Sequence, residues 1–312
     1  MRVSTQMYPQ AMLGQLGKLT QMQHKLQNQV STGLRVQDAA DDPSSARKII
    51  VWQGDLADIE QFRKNIESQQ RVAADNHSVY GDIYKHVSRA REIAISGASD
   101  DKPADTLATM AQEVDGLIEA ALSAGNRQAG SKYLLSGTKS DTQPFKATRD
   151  ANGQIIGVEY QGNSHISSVD ASPNNSVSAQ WVGANTGGAG QPGLLQDVGS
   201  GVDIFRDLIA LRDHLTAADT EAITQLNTGN LEELEDHILF FGAANGAMEE
   251  RMNVSLSSLK DQEFALTGMI SREGDADMAD TIVRLNEVQY AYQAALQSGA
   301  KIMNSSLMDY LR

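Results

Sequence analysis

The sequence predicts a mainly α-helical protein with a small β-rich insert, in which parts from both ends of the chain form an elongated antiparallel helical bundle. Apolar residues alternate at steps of four and three near both ends, which is the spacing of helices that bury one stripe. Aromatic residues make up only 5% of the 312 residues. Such a composition is typical of long helices packed by aliphatic side chains.

The first helix is predicted over residues 8–30, and Gly33 can then take the left-handed conformation that often ends a helix. Because Asp42 can cap a helix and proline suits a first turn, the second helix should begin at Pro43 and run to about residue 96. A third helix should follow Pro103. The apolar stripe of the first helix consists of Met12, Leu16, Leu19, Leu26 and Val30.

Between residues 133 and 202, short apolar runs alternate with Gly, Asn, Ser and Pro, which predicts β-strands. Asn152 and Gly153 favour a hairpin turn. The Gly-rich residues 185–193 predict a mobile surface loop. A formal GxGxxG match lies within this loop, and we do not assign it to a dinucleotide site because no helix is predicted to start there. The strand-like runs are residues 133–135, 155–160, 166–169 and 177–182.

Helix is predicted again from Asp203, and Asn230 with Glu233 resembles a capping box at the start of the longest C-terminal helix. Gly274 should end that helix, and Asp275 or Asp277 should cap the last one. The last helix repeats the four–three rhythm from Met278 onward. Its predicted contact residues are Ile282, Leu285, Tyr292, Leu296, Met303 and Leu307.

The two terminal stripes are expected to pack on each other, residues 8–30 along residues 278–311, because isolated helices of this length are marginal in water. A lone helical pair buries little area, so these ends are expected to be disordered in the monomer and to fold on assembly. The predicted parts are terminal assembly helices (1–42 with 275–312), a helical rod with a β-hairpin (43–145 with 202–274) and a variable β-rich domain (146–201).

Composition removes several classes of function. The net charge of −14 disfavours nucleic-acid binding. Residues 53–276 carry a net charge of −16, residues 1–52 carry +3 and residues 277–312 carry −1, so the acidity lies in the middle of the chain. The absence of cysteine excludes disulfides and thiolate chemistry. No run of about 18 apolar residues predicts a membrane span, and no HExxH motif predicts a zinc site. We therefore expect no cofactor, no metal and no enzymatic activity.

Several motifs resemble those of the bacterial flagellin family. Residues 31–36 (STGLRV) and 41–43 (DDP) are similar to its N-terminal signature, which Gly33, Arg35, Asp41, Asp42 and Pro43 carry. The C-terminal signature is matched by residues 285–289 (LNEVQ), 293–297 (QAALQ) and 306–311 (SLMDYL). Residues 1–7 and 133–145 resemble the hook–filament junction members of this family more than its filament flagellins.

The resemblance implies a flagellin-like fold and a structural subunit of the bacterial flagellum. It further implies export, unfolded, through the flagellar secretion channel and a place at the hook–filament junction. The implied partners are other copies of this chain, an adjacent hook-associated junction protein, flagellin and an export chaperone. Two alternatives remain open: a filament flagellin, and a helical enzyme or binding protein with a site in residues 133–202.

Overall fold

A computed structural model covers the chain and describes residues 7–99, 101–188 and 190–310, with the side chains of 7–9 and 302–310 left aside. The chain divides into a terminal unit, residues 1–58 with 261–312, and a central unit, residues 59–260. Both boundaries fall inside long helices, α2 (Pro43–Gly97) and α6 (Glu232–Gly274). The three-part division stays a prediction about assembly.

The terminal unit adds α1 (Met7–Thr32) and α7 (Met278–Tyr310) to the ends of α2 and α6. The predicted helix ends are confirmed here. Gly33 has a φ of 73°, and the Asp42 carboxylate accepts a hydrogen bond of 3.2 Å from the Ser45 amide. Of the two predicted caps of α7, Asp277 accepts the amide of Ala279 at 2.9 Å. Local chemistry therefore determined these helix ends.

The central unit contains α3 (Ala104–Gly125), α4 (Ile204–Ala217), α5 (Thr220–Leu226) and a π-helix (Asn227–Leu231) that leads directly into α6. Asp203 caps α4 as predicted, accepting the Arg206 amide at 3.0 Å. The predicted capping box is wrong. Asn230 lies inside the π-helix, and its side chain donates to Asp207 at 2.9 Å. Since the helical backbone is continuous there, no helix end is present to be capped.

Nine short strands lie between α3 and α4 among the described residues. They are β1 (Gln128–Ala129), β2 (Lys132–Tyr133), β3 (Phe145–Arg149), β4 (Ile155–Tyr160), β5 (Val169–Ser172), β6 (Asn175–Val177), β7 (Val182–Asn185), β8 (Gly193–Asp197) and β9 (Val202–Asp203). The strands β3 and β4 form an antiparallel hairpin whose turn contains Asn152 and Gly153, as predicted, with Gly153 at a φ of 87°. The strand β8 pairs in parallel with β7 and antiparallel with β9, and β1–β2 and β5–β6 are separate pairs.

Of the predicted strands, only residues 155–160 are confirmed in full. The other runs overlap a strand at their ends alone, and residues 178–181 are not strand at all. The predicted loop 185–193 is too long, because Asn185 ends β7 and Gly193 starts β8 and both residues are buried. Burial of an apolar residue does not require ladder pairing, which is why apolar runs misplaced these strands.

The core of the central unit joins helices to the insert. Phe145 of β3 is fully buried between Tyr160 and Phe205, with ring centroids 5.2 and 5.4 Å away. Leu195 of β8 also lies in this core, and Gly125 at the end of α3 leaves room for Phe145 and Leu195. The β-rich insert is thus anchored to α3 and α4 by one aromatic cluster.

Candidate assembly site

The helices α1 and α7 pack against each other within the terminal unit. Two anchors give their direction. Met12 near the start of α1 lies over Gly299 near the end of α7, where any Cβ atom would overlap the methionine. Leu34, just after α1, forms an antiparallel bridge with Asp275, just before α7. The expected antiparallel terminal pair is present.

The structure places the predicted stripe of α1 on the side of the helix that is least exposed. Leu26 is buried with 8% of its surface exposed, and Met12, Leu16, Leu19 and Val30 are half-buried. By contrast, Leu13 is 68% exposed. The four–three rhythm therefore identified the inward face of α1 correctly.

On α7 the predicted residues are divided between two faces of the helix. Leu285 and Tyr292 lie on the less exposed face, but Ile282 and Leu296 are each 45% exposed. Met303 and Leu307 belong to α7, and their side chains lie outside the described residues. The less exposed face of the described part instead follows Thr281, Leu285, Val288, Tyr292, Ala295 and Gly299.

The physical reason is the size of the facing side chains. The end of the Met12 side chain occupies the space over Gly299, so a larger residue at that position would require the Met12 side chain to move. Small residues such as Ala295 and Gly299 allow two helices to approach closely. The sequence prediction took the largest apolar residues as contacts, and it therefore placed the stripe one position away, at Leu296 instead of Ala295. As a result α7 has a second apolar face, which α1 leaves exposed and which includes Met278, Ile282 and Leu296.

The connections at the base of the pair are hydrogen-bonded to each other. The amides of Arg35 and Val36 donate to the Gly274 carbonyl at 2.7 and 3.4 Å, and the Ala276 amide donates to the Gly33 carbonyl at 2.8 Å. Gly274 itself is buried beneath Ile49 of α2. The α1–α2 connection and the α6–α7 connection are thus joined by backbone hydrogen bonds.

The Arg35 side chain also links these two connections. Its guanidinium Nη2 donates to the Glu273 carbonyl at 2.6 Å and to the Ser45 hydroxyl at 3.2 Å. Nη1 lies 3.3 Å from the Asp42 carboxylate. The Lys48 ammonium pairs with the Glu273 carboxylate at 2.7 Å. Arg35 therefore contacts the end of α6 and the start of α2 together, which suits a planar donor fork.

The remaining signature residues support the same connection. Hydrogen bonds from the hydroxyl and amide of Ser45, and then from Arg35, lower the pKa of Asp42 to about 2. The Lys25 ammonium of α1 lies 2.7 Å from Asp41 and lowers the pKa of that carboxyl. Pro43 begins α2. Gly33, Arg35, Asp41, Asp42 and Pro43 therefore meet at one place.

Sequence reasoning missed three residues of this cluster, namely Ser45, Lys48 and Glu273. Glu273 is the carboxylate that Lys48 and Ser45 share, and these partners lower its pKa. Its position directly before Gly274 was a usable signal, because the end of a helix next to a connection is where partners from another helix can gather. Pairing over more than 220 residues is not visible in a single sequence.

The described residues were also compared with the requirements of metal, membrane and dinucleotide sites. Within residues 7–99, 101–188 and 190–310, no group of three or more His, Asp or Glu side chains is arranged to hold a metal ion. In that same range, none of the helices is long and apolar enough to cross a membrane. Gly188 lies between β7 and β8, and Gly193 begins β8, whereas a dinucleotide fingerprint leads from a strand into a helix.

Comparison with known proteins agrees with these features. Residues 3–140 match the family described as the bacterial flagellin N-terminal helical region. Flagellar hook-associated protein 3 of Escherichia coli (strain K12) is 26% identical over 319 aligned positions, covering 98% of both chains. The relatives found at full length are hook-associated proteins, so the filament-flagellin alternative is not favoured.

Solved structures share the fold. A protein from Vibrio parahaemolyticus described as a flagellar hook-associated protein superimposes with a TM-score of 0.65 at 16% identity, over 75% of this chain and 100% of that one. The flagellar junction protein FlgL from Legionella pneumophila gives a TM-score of 0.56 at 15% identity, over 73% of this chain and 100% of that one. At these identities the likeness concerns the fold.

Proposed function

We propose that this chain is a structural subunit of the junction between flagellar hook and filament, similar to the flagellin family, and that it assembles through its paired terminal helices α1 and α7. In this proposal α1 and α7 first pack on each other by their inward faces. Their outward faces then pack on neighbouring subunits.

One observation carries the proposal. Although the terminal unit is the smaller of the two, it holds most of the large apolar side chains that are exposed among the described residues. A concentration of large apolar side chains that stay exposed to water is typical of an interaction site. These residues are Leu13, Met22, Leu34, Ile50, Val51, Phe264, Met278, Ile282, Val283, Tyr290 and Leu296.

The experiment separates the outward face from the inward face of α7. Leu296→Asp places a charge on the outward face, and it should abolish incorporation into flagella while the thermal stability of the monomer stays unchanged. Leu285→Asp places a charge on the inward face, and it should abolish incorporation and also speed amide exchange along α1 and α7. Both effects follow from the cost of burying an unpaired charge.

Gln297→Asp is the matched control, because Gln297 is the exposed neighbour of Leu296 and the substitution adds the same charge. This control should incorporate normally. Normal incorporation of Leu296→Asp would refute the proposal, as would an equal loss with Gln297→Asp.

The proposal extends to the route and the partners of the chain. A chain without cysteine is not held folded by disulfides, which suits export, unfolded, through the flagellar channel with the help of a chaperone. The proposed neighbours at the junction are other copies, a hook-associated junction protein and flagellin, and the proposed role includes no catalysis. The expectation that the ends fold only on assembly is a separate prediction. If it holds, amide exchange along α1 and α7 is already fast in the monomer and Leu285→Asp does not speed it further, whereas strong amide protection of both ends in the monomer would contradict it.

A further inference from the structure

A recess lies on the surface of the terminal unit at the start of α2. It has a volume of about 620 Å³, and Pro43, Ser44, Arg47, Lys48, Val51 and Trp52 line it. Val51 is 55% exposed and Trp52 is half-buried, so the floor is apolar. We call this recess the socket. The recess is open to solvent and lies along the first turns of α2, so an aromatic side chain of another chain can reach its apolar residues.

The rim of the socket is positively charged. The exposed guanidinium of Arg47 has no ion-pair or hydrogen-bond partner among the described residues, whereas Lys48 is paired with Glu273. A cation beside an apolar floor matches a large apolar side chain that has a carboxylate about one helical turn away. The start of α2 is basic in a chain whose net charge is −14.

The central unit presents a surface with that chemistry. Phe240 of α6 is 59% exposed, and exposed Asp236 stands one turn before it, on the same side of the helix. Further along this side, Ala243 and Ala247 are small and exposed, so another helix can approach closely. We call this surface, defined by Asp236, Phe240, Ala243 and Ala247, the acidic face.

We propose that the socket receives the acidic face of a second copy of this chain, with Phe240 over Val51 and Trp52 and Asp236 beside Arg47. This inference rests on the proposed function, and it names one contact by which neighbouring copies meet. Charge complementarity selects the arrangement. Two sockets in contact would oppose Arg47 with Arg47, and two acidic faces would oppose Asp236 with Asp236, and both pairings are repulsive.

The consequence concerns symmetry. An interface between two different surfaces leaves one socket and one acidic face unused in every pair, so the contact repeats from copy to copy. Heterologous contacts of this kind generate rings or helical assemblies, whereas a self-complementary contact stops at a dimer. A repeating contact suits a subunit of a tubular structure.

The absence of cysteine from the natural sequence makes disulfide trapping specific. Two full-length chains, Val51→Cys and Phe240→Cys, are produced together in cells without the native copy, and their purified flagella are oxidised. We expect a disulfide-linked mixed dimer in at least about tenfold excess over dimers from either variant alone, because a disulfide forms only when the Cα atoms approach within about 7 Å.

The control mixes Val51→Cys with Ile95→Cys, since Ile95 is an equally exposed apolar residue of the central unit (57%). A second pair, Ser44→Cys with Leu239→Cys, guards against a variant that does not fold. Equal trapping of Ile95→Cys, or no mixed dimer from either socket pair, would overturn the proposal.

Charge reversal tests the ionic part. In the Val51→Cys chain, Arg47→Glu should lower the mixed dimer by at least about fivefold, and Asp236→Lys in the Phe240→Cys chain should restore it, because opposite charges then face each other again. Lack of restoration would overturn the pairing. Normal incorporation of Leu296→Asp would refute the proposed terminal assembly and leave this trapping result unaffected, so the two failures are distinguishable.

Discussion

Removing the Arg35 side chain should loosen the two connections at the base of the terminal pair. In Arg35→Ala, the Glu273 carbonyl loses a 2.6 Å charge-assisted hydrogen bond, and Ser45 and Asp42 lose longer ones of 3.2 and 3.3 Å. Hydrogen bonds to charged groups contribute about 1.5–3 kcal/mol when they are shielded from solvent. Because the Arg35 side chain is 45% exposed, we expect a total loss of about 1–2 kcal/mol.

The assay is amide hydrogen exchange at Val36 and Ala276, whose amides bond across the two connections. A loss of this size should speed their exchange by a factor of about 5–30. Arg35→Lys should give an intermediate effect, because an ammonium group cannot reproduce the planar fork. Arg284→Ala is the control, since Arg284 makes an exposed pair with Asp280 within α7. Unchanged amide exchange in Arg35→Ala, or equal acceleration in Arg284→Ala, would refute the role of Arg35 in joining the two connections.

Three further outcomes are expected. Hydrogen bonds lower the pKa of Asp42 to about 2, so the contribution of the ionised Asp42 to stability is complete above about pH 4 and is lost as the pH falls from 4 to 2. Amide exchange at Val36 should therefore become faster over that range, and Asp42→Asn should flatten this pH dependence. Gly33→Ala should destabilise the terminal unit by about 1 kcal/mol in denaturant titration, because Gly33 has a φ of 73°. Gly17→Ala, inside α1 and with open space around it, should instead stabilise the terminal unit by up to about 1 kcal/mol. Equal effects of the two substitutions would contradict this prediction. Phe145→Ala should lower the free energy of unfolding of the central unit by about 3–5 kcal/mol in calorimetry, and a loss below 1 kcal/mol would argue against its core position.

Helix ends and the inward face of α1 could be predicted because their causes are local. Gly33 adopts a left-handed φ that costs glycine little, and the Asp42 carboxylate accepts from an amide only three residues away. The stripe that contains Leu16 and Leu26 follows from helical periodicity alone. The same holds for the hairpin turn at Asn152 and Gly153. These features need no knowledge of what lies across from them.

The family signatures are also local runs of residues, and they indicate the flagellin family without any information about tertiary contacts. Their physical purpose does not follow from the runs themselves. Arg35, Asp42 and Glu273 are brought together over more than 200 residues, and a single sequence carries no record of such pairs. The prediction for Asn230 was wrong for a related reason, because a capping residue has that role only where a helix begins.

The inward face of α7 depends on tertiary packing. Apolar residues stand at two overlapping sets of positions, one through Leu285 and Tyr292 and one through Ile282 and Leu296. Periodicity does not separate sets that differ by one residue. The choice depends on the partner, since the end of the Met12 side chain lies in the space over Gly299. Amphipathic helices at both ends follow from the residue pattern alone, whereas packing between these helices selects the face that stays outward, because steric fit exists only between two surfaces.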